Sequence, residues 1–100
     1  MAASVRIEPL EGGGYRLIGE IDISNAGELR RIRDPGPGNL VLELGELSFM
    51  DSAGLRGMIE LANGLESGRQ LVLRNPTPAV DRLFEVTGVD RVPNLTIERS

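Results

Sequence analysis

Residues 47–62, LSFMDSAGLRGMIELA, change period in the middle. Up to Met50 the stretch reads as the end of a buried strand. From Ser52 onward Leu55, Met58, Ile59, Ala62 and, just beyond, Leu65 recur at helical spacing. The join carries Asp51, Ser52 and Gly54 together. Three readings compete for an acid and a hydroxyl at such a turn: an ordinary helix cap, a nucleophile, or a serine that another protein modifies.

The flanks extend the pattern. SVRIEP at 4–9 alternates, with Val5 and Ile7 on one side, and YRLIGEI at 15–21 alternates around Gly19. The EGGG turn between them predicts an antiparallel hairpin. After it, Ala26, Leu29 and Ile32 give a short helix one apolar stripe, and Asp34-Pro35 ends it. Ser24 or Asn25 caps that helix in this reading, and Asn25 with Glu28 resembles a capping box. LVLEL at 40–44 is nearly all apolar, as expected of a central strand covered on both faces. The strand spanning 71–73 is short and apolar. Thr77-Pro78 caps a last helix whose stripe is Val80, Leu83 and Phe84, with Gly88 as its stop. NLTIE at 94–98 closes the chain with a strand. The order is β-β-α-β-α-β-α-β, which predicts an α/β fold: a mixed sheet with an N-terminal antiparallel hairpin, then β-α repeats with helices packed on the sheet.

Composition narrows the chemistry. One hundred residues, 40% hydrophobic and 26% charged, suit a single small domain over 1–100. A net charge of -4 leaves no basic excess for a nucleic acid or an anionic membrane. All eleven basic residues are arginine, and there is no cysteine or histidine. Disulfides, thiolate chemistry, histidine metal sites and lysine bases therefore have no residues to work with. No apolar run reaches the about 18 residues that span a bilayer, and the N-terminus lacks the form of a signal peptide, so a cytoplasmic location is expected.

At Asp51-Ser52 the nucleophile reading is the weakest. A catalytic serine needs a base oriented by a third group, and MDSAG lacks the glycine two residues before the serine of a nucleophile elbow. An enzyme is not expected. A cap contributes about 1 kcal/mol and is the ordinary use of these residues. It does not exclude modification, because a helix N-terminus tolerates a phosphate.

Three segments carry a resemblance. GEID at 19–22, LVLELGELSFMDSAGL at 40–55 and NPTPAVDRLFEVTGVDRV at 75–92 together resemble the STAS domain of bacterial anti-sigma factor antagonists, in the family's order. The resemblance implies the STAS fold and a partner switch. The unmodified antagonist binds an anti-sigma factor that is also a serine kinase, and so releases the sigma factor. The kinase supplies ATP and Mg²⁺ and phosphorylates the serine after the aspartate, which is Ser52 here. A serine phosphatase resets the chain, which needs no cofactor of its own. The implied docking surface is Asp51, Ser52, Ala53 and Gly54 with Asp22, Ser24 and Asn25 of the loop after the second strand. Asp22 is either a turn residue or a contact, and Asn25 a cap or a contact. Asp51 either holds the serine loop or faces the partner. Met50 and Leu55 read as core.

Two features depart from the family pattern. DPGPG replaces part of a longer first helix, and the chain stops at Ser100, where relatives carry another helix. An uncovered apolar strip there would support self-association or partner binding, so the expected state is a monomer or weak dimer. The alternative function is a non-phosphorylated STAS adaptor in a lipid-transport or signalling complex.

Overall fold

The structure is a computed structural model and describes residues 2–34 and 36–99. Five strands form one sheet in the order of the chain: β1 (Val5–Pro9), β2 (Tyr15–Ile21), β3 (Leu40–Met50), β4 (Leu71–Arg74) and β5 (Leu95–Glu98). β1 and β2 pair antiparallel, and all later pairs are parallel. Two α-helices fill the connections, α1 (Ser52–Asn63) and α2 (Pro78–Thr87), with 3₁₀ turns at Ala26–Arg31 and Val89–Arg91. The mixed α/β sheet with its leading hairpin is as the sequence predicts.

The core lies on one face of the sheet. Leu40, Leu42 and Leu44 are buried, while Val41 and Glu43 between them are only half-buried. The expectation that β3 is covered on both faces is therefore wrong. Its outer face is solvated, and it takes part in a row of registered charges: Glu8, Arg16, Glu43, Arg74 and Glu98 stand side by side across all five strands. Charged side chains suit that face to water without a covering layer, with ion pairs between Arg16 and Glu46 and between Arg74 and Glu98.

β3 also runs on to Met50, well past Leu44. Its buried residues step by two through Leu40, Leu42 and Leu44, then by three to Leu47 and again to Met50. The pairing with β2 explains the change. Arg16 and Ile18 pair with Glu43 and Glu46, and Gly19 and Glu20 pair with Leu47 and Phe49. Each shift gives β3 one more residue than β2, a bulge that keeps the apolar side chains inward and bends the strand.

The first predicted helix is a six-residue 3₁₀ turn. Leu29 and Ile32 are buried as expected, but Asn25 makes no capping hydrogen bond, and the capping box with Glu28 does not form. Thr77 stands at the cap position of α2 without capping it; its hydroxyl donates instead to the Leu47 carbonyl at 2.8 Å. Gly88 stops α2 as predicted, at φ 67°, with its N–H on the Phe84 carbonyl. Beside β5, Leu95 is buried and Ile97 half-buried, while Arg99 bonds Asp81 of α2 through two nitrogens. On α2 beside it Val86 stays 77% exposed.

Candidate functional site at the start of α1

β2 and β3 end side by side, with Ile21 in register with Met50. The Asp51 N–H continues the ladder by donating to the Ile21 carbonyl at 3.2 Å. Asp51 keeps an extended backbone, and its side chain accepts from the N–H groups of Ala53 at 2.9 Å and Gly54 at 3.3 Å. Asp51 is thus the cap of α1, satisfying two of its orphan donors. Ser52 is the first residue of the helix, exposed, and its hydroxyl makes no hydrogen bond among the described residues.

Gly54 does not reach the surface expected of it. It is buried, and a Cβ there would lie 2.5 Å from Met50 Cγ and 2.8 Å from Ile21 Cγ2. The missing side chain lets the first turn of α1 sit on the ends of β2 and β3, which fixes where Ser52 emerges. Met50 and Leu55 are buried in the core, as the sequence reads them.

The loop after β2 is closed by its own side chains. The Asp22 N–H donates to Asn25 Oδ1 at 2.9 Å, and Asn25 Nδ2 donates to the Glu20 carbonyl at 2.9 Å. The Ser24 hydroxyl and N–H both donate to Asp22 Oδ1, at 2.5 and 2.8 Å, holding the Asp22 carboxyl below its ordinary pKa. Asn25 is therefore a loop staple rather than a helix cap. The same bonds push Ile23 outward, where it is 84% exposed.

Between this loop and α1 lies an open groove of about 600 Å³. Ile23, Ala26 and Leu29 form one wall, and Ala53, Gly57 and Leu61 the other. Arg30 and Arg56 add charge to it, with Ser52 on its margin. The sequence reading missed Ile23, Arg30 and Arg56. An isoleucine between Asp22 and Ser24, outside every apolar stripe, was the available sign for the first. Among the described residues no cluster of carboxylates is placed to hold a metal ion, and no helix is long and apolar enough to cross a membrane.

The STAS domain family profile matches residues 7–100. The chain belongs to the STAS domain family. Solved structures share its fold. One is the anti-sigma factor antagonist SpoIIAA in its unphosphorylated form, 24% identical, with a TM-score of 0.67 over 97% of this chain and 90% of that one. Another is an anti-sigma factor antagonist from Mycobacterium paratuberculosis, also 24% identical, with a TM-score of 0.69 over 95% and 86%.

Proposed function

We propose that this STAS domain is a cytoplasmic anti-sigma factor antagonist, switched by phosphorylation of Ser52. The carrying observation is the exposed, unbonded Ser52 hydroxyl on the first turn of α1. Two similar structures are antagonists by name. In the unmodified state the α1 start and the Asp22–Asn25 loop dock on an anti-sigma factor that is also a serine kinase, and the sigma factor is released. The kinase holds ATP and Mg²⁺. Ser52 Oγ attacks the γ-phosphorus, an Oγ–P bond forms, and the bond from that phosphorus to the β–γ bridging oxygen breaks. ADP leaves, and the serine proton passes to a base on the kinase. A serine phosphatase hydrolyses the ester and restores the hydroxyl. The chain itself is a single domain acting as substrate and ligand, without catalysis of its own.

Phosphate adds about -1.5 to -2 charges at a surface that docking would desolvate. A buried, imperfectly paired charge costs several kcal/mol, and about 1.4 kcal/mol is tenfold in affinity. Ser52→Ala should bind the cognate kinase and take no label from γ-labelled ATP. Ser52→Asp should stay folded by circular dichroism and bind at least about tenfold more weakly. Parent-like binding by folded Ser52→Asp would overturn the charge switch and favour an unphosphorylated adaptor.

A further inference from the structure

Six of the eleven arginines sit in ion pairs among the described residues. Arg30, Arg33, Arg56, Arg82 and Arg91 are not among them; the side chains of Arg30 and Arg56 are exposed and make no hydrogen bond or ion pair among the described residues. Both line the groove beside Ser52, Arg30 from the Ala26–Arg31 turn and Arg56 from α1. A chain with four more acids than bases thus keeps two unpaired guanidiniums in one groove.

The acids nearby are mostly committed. Asp51 caps α1, Asp22 is bonded by Ser24, and Glu28 is paired with Arg31 at 3.1 Å. Glu60 also lines the groove, four residues after Arg56. In a helix the acid-then-base order at i,i+4 is the favourable one, and Arg56–Glu60 runs the other way. Ser52 and Arg56 have that spacing with the serine first. An acid at position 52 would therefore be the better partner for Arg56. Arginine's planar fork also matches the oxygens of a phosphate.

We propose that a phosphoryl group on Ser52 is held in cis by Arg56 and Arg30, bridging α1 to the Ala26–Arg31 turn across the groove. This rests on reading Ser52 as the phosphoacceptor. The phosphorylated chain is then a closed form. Its two arginines are consumed internally, and a partner side chain finds the groove bridged at its Ser52 end. Release follows from loss of the docking slot as well as from added charge.

The experiment needs no kinase. Phosphoserine is installed at position 52 of the full chain during synthesis, and its second ionisation is followed by ³¹P NMR. The variants are the parent, Arg56→Gln, Arg30→Gln and the double variant, with circular dichroism on each. Free phosphoserine titrates at about pH 6. The α1 start lowers that midpoint equally in all four chains, so the difference between them isolates the arginines. The parent midpoint should lie at least about half a unit below that of the double variant, with the single variants between them and Arg56→Lys restoring part of the shift. Coincident titrations in folded parent and double variant would overturn cis capture. A cognate kinase that leaves Ser52 unmodified, beside an arginine-dependent shift of the installed phosphate, would sink the proposed function and uphold the groove's affinity for phosphate. Modification of Ser52 by that kinase with coincident titrations would sink the capture alone.

Discussion

A Cβ built at Gly57 would meet only Leu29 Cδ1 closer than 3.0 Å, at 2.7 Å, whereas one at Gly54 crowds Met50 and Ile21 together. Alanine gains about 1 kcal/mol of helix propensity over glycine at either position. At Gly57 the obstacle is the far methyl of one leucine, Leu29, which is buried but borders the open groove and can shift into it. At Gly54 the obstacles are two buried side chains under the first turn, and overpacking costs about 1–3 kcal/mol. Urea unfolding should therefore place Gly57→Ala within about 0.5 kcal/mol of the parent and Gly54→Ala clearly below it. Equal shifts would refute this account of how α1 is seated. Both glycines were legible as members of a helix. Which of them touches the sheet was not, because the contact depends on where β2 and β3 end. Asn25 shows the same limit: its spacing to Glu28 fits a cap, but the carbonyl of Glu20 takes its amide instead.

At the scale of elements, the sequence located nearly every strand and helix and misjudged how they join. The strand end at Met50 was legible from the change of period. The two shifts against β2 between Leu44 and Met50 were not, because a bulge shows only when the partner strand is in place. Thr77 has the local form of a cap, yet its hydroxyl bridges to Leu47, thirty residues away. That bond ties the start of α2 to the second half of β3, the half that ends at the serine turn. Thr77→Val keeps the shape, removes the donor and leaves the Leu47 carbonyl partly buried without it; the cost should be about 0.5–1.5 kcal/mol. Thr77→Ser should retain most of the stability. A chemical-denaturation midpoint for Thr77→Val equal to the parent's would show that the bond contributes nothing.

For the whole molecule, a charged long-range link helps close the segment before β3. Arg69, ahead of β4, grips both carboxylate oxygens of Asp34 and donates to the Gly38 carbonyl at 2.6 Å. The guanidinium holds the Asp34 carboxyl below its ordinary pKa of 3.8. A carboxyl lowered by folding adds stability above its unfolded pKa, and that stability is lost as pH falls through the folded value. Asp34→Asn should therefore melt below the parent at pH 7, with the gap narrowing as pH falls below about 4. A gap that is the same from pH 7 to pH 2.5 would show that the carboxylate charge is irrelevant. The fold class was legible because the alternation of strand and helix fixes the layers. The solvated outer face was not, since the charged neighbours of Glu43 appear only once Arg16 and Arg74 are placed beside it in register.

The strands lie in the sheet in the order in which they occur in the chain. Every pairing therefore joins strands that are consecutive in the chain, and no strand has to slip between two that are already paired. The entropy of closing each loop grows only with the logarithm of its length, and folding speed follows the average sequence separation of contacts. Such a sheet can grow outward from any adjacent pair, one strand at a time. Each step after the first hairpin closes one crossover and brings in only the next strand of the chain.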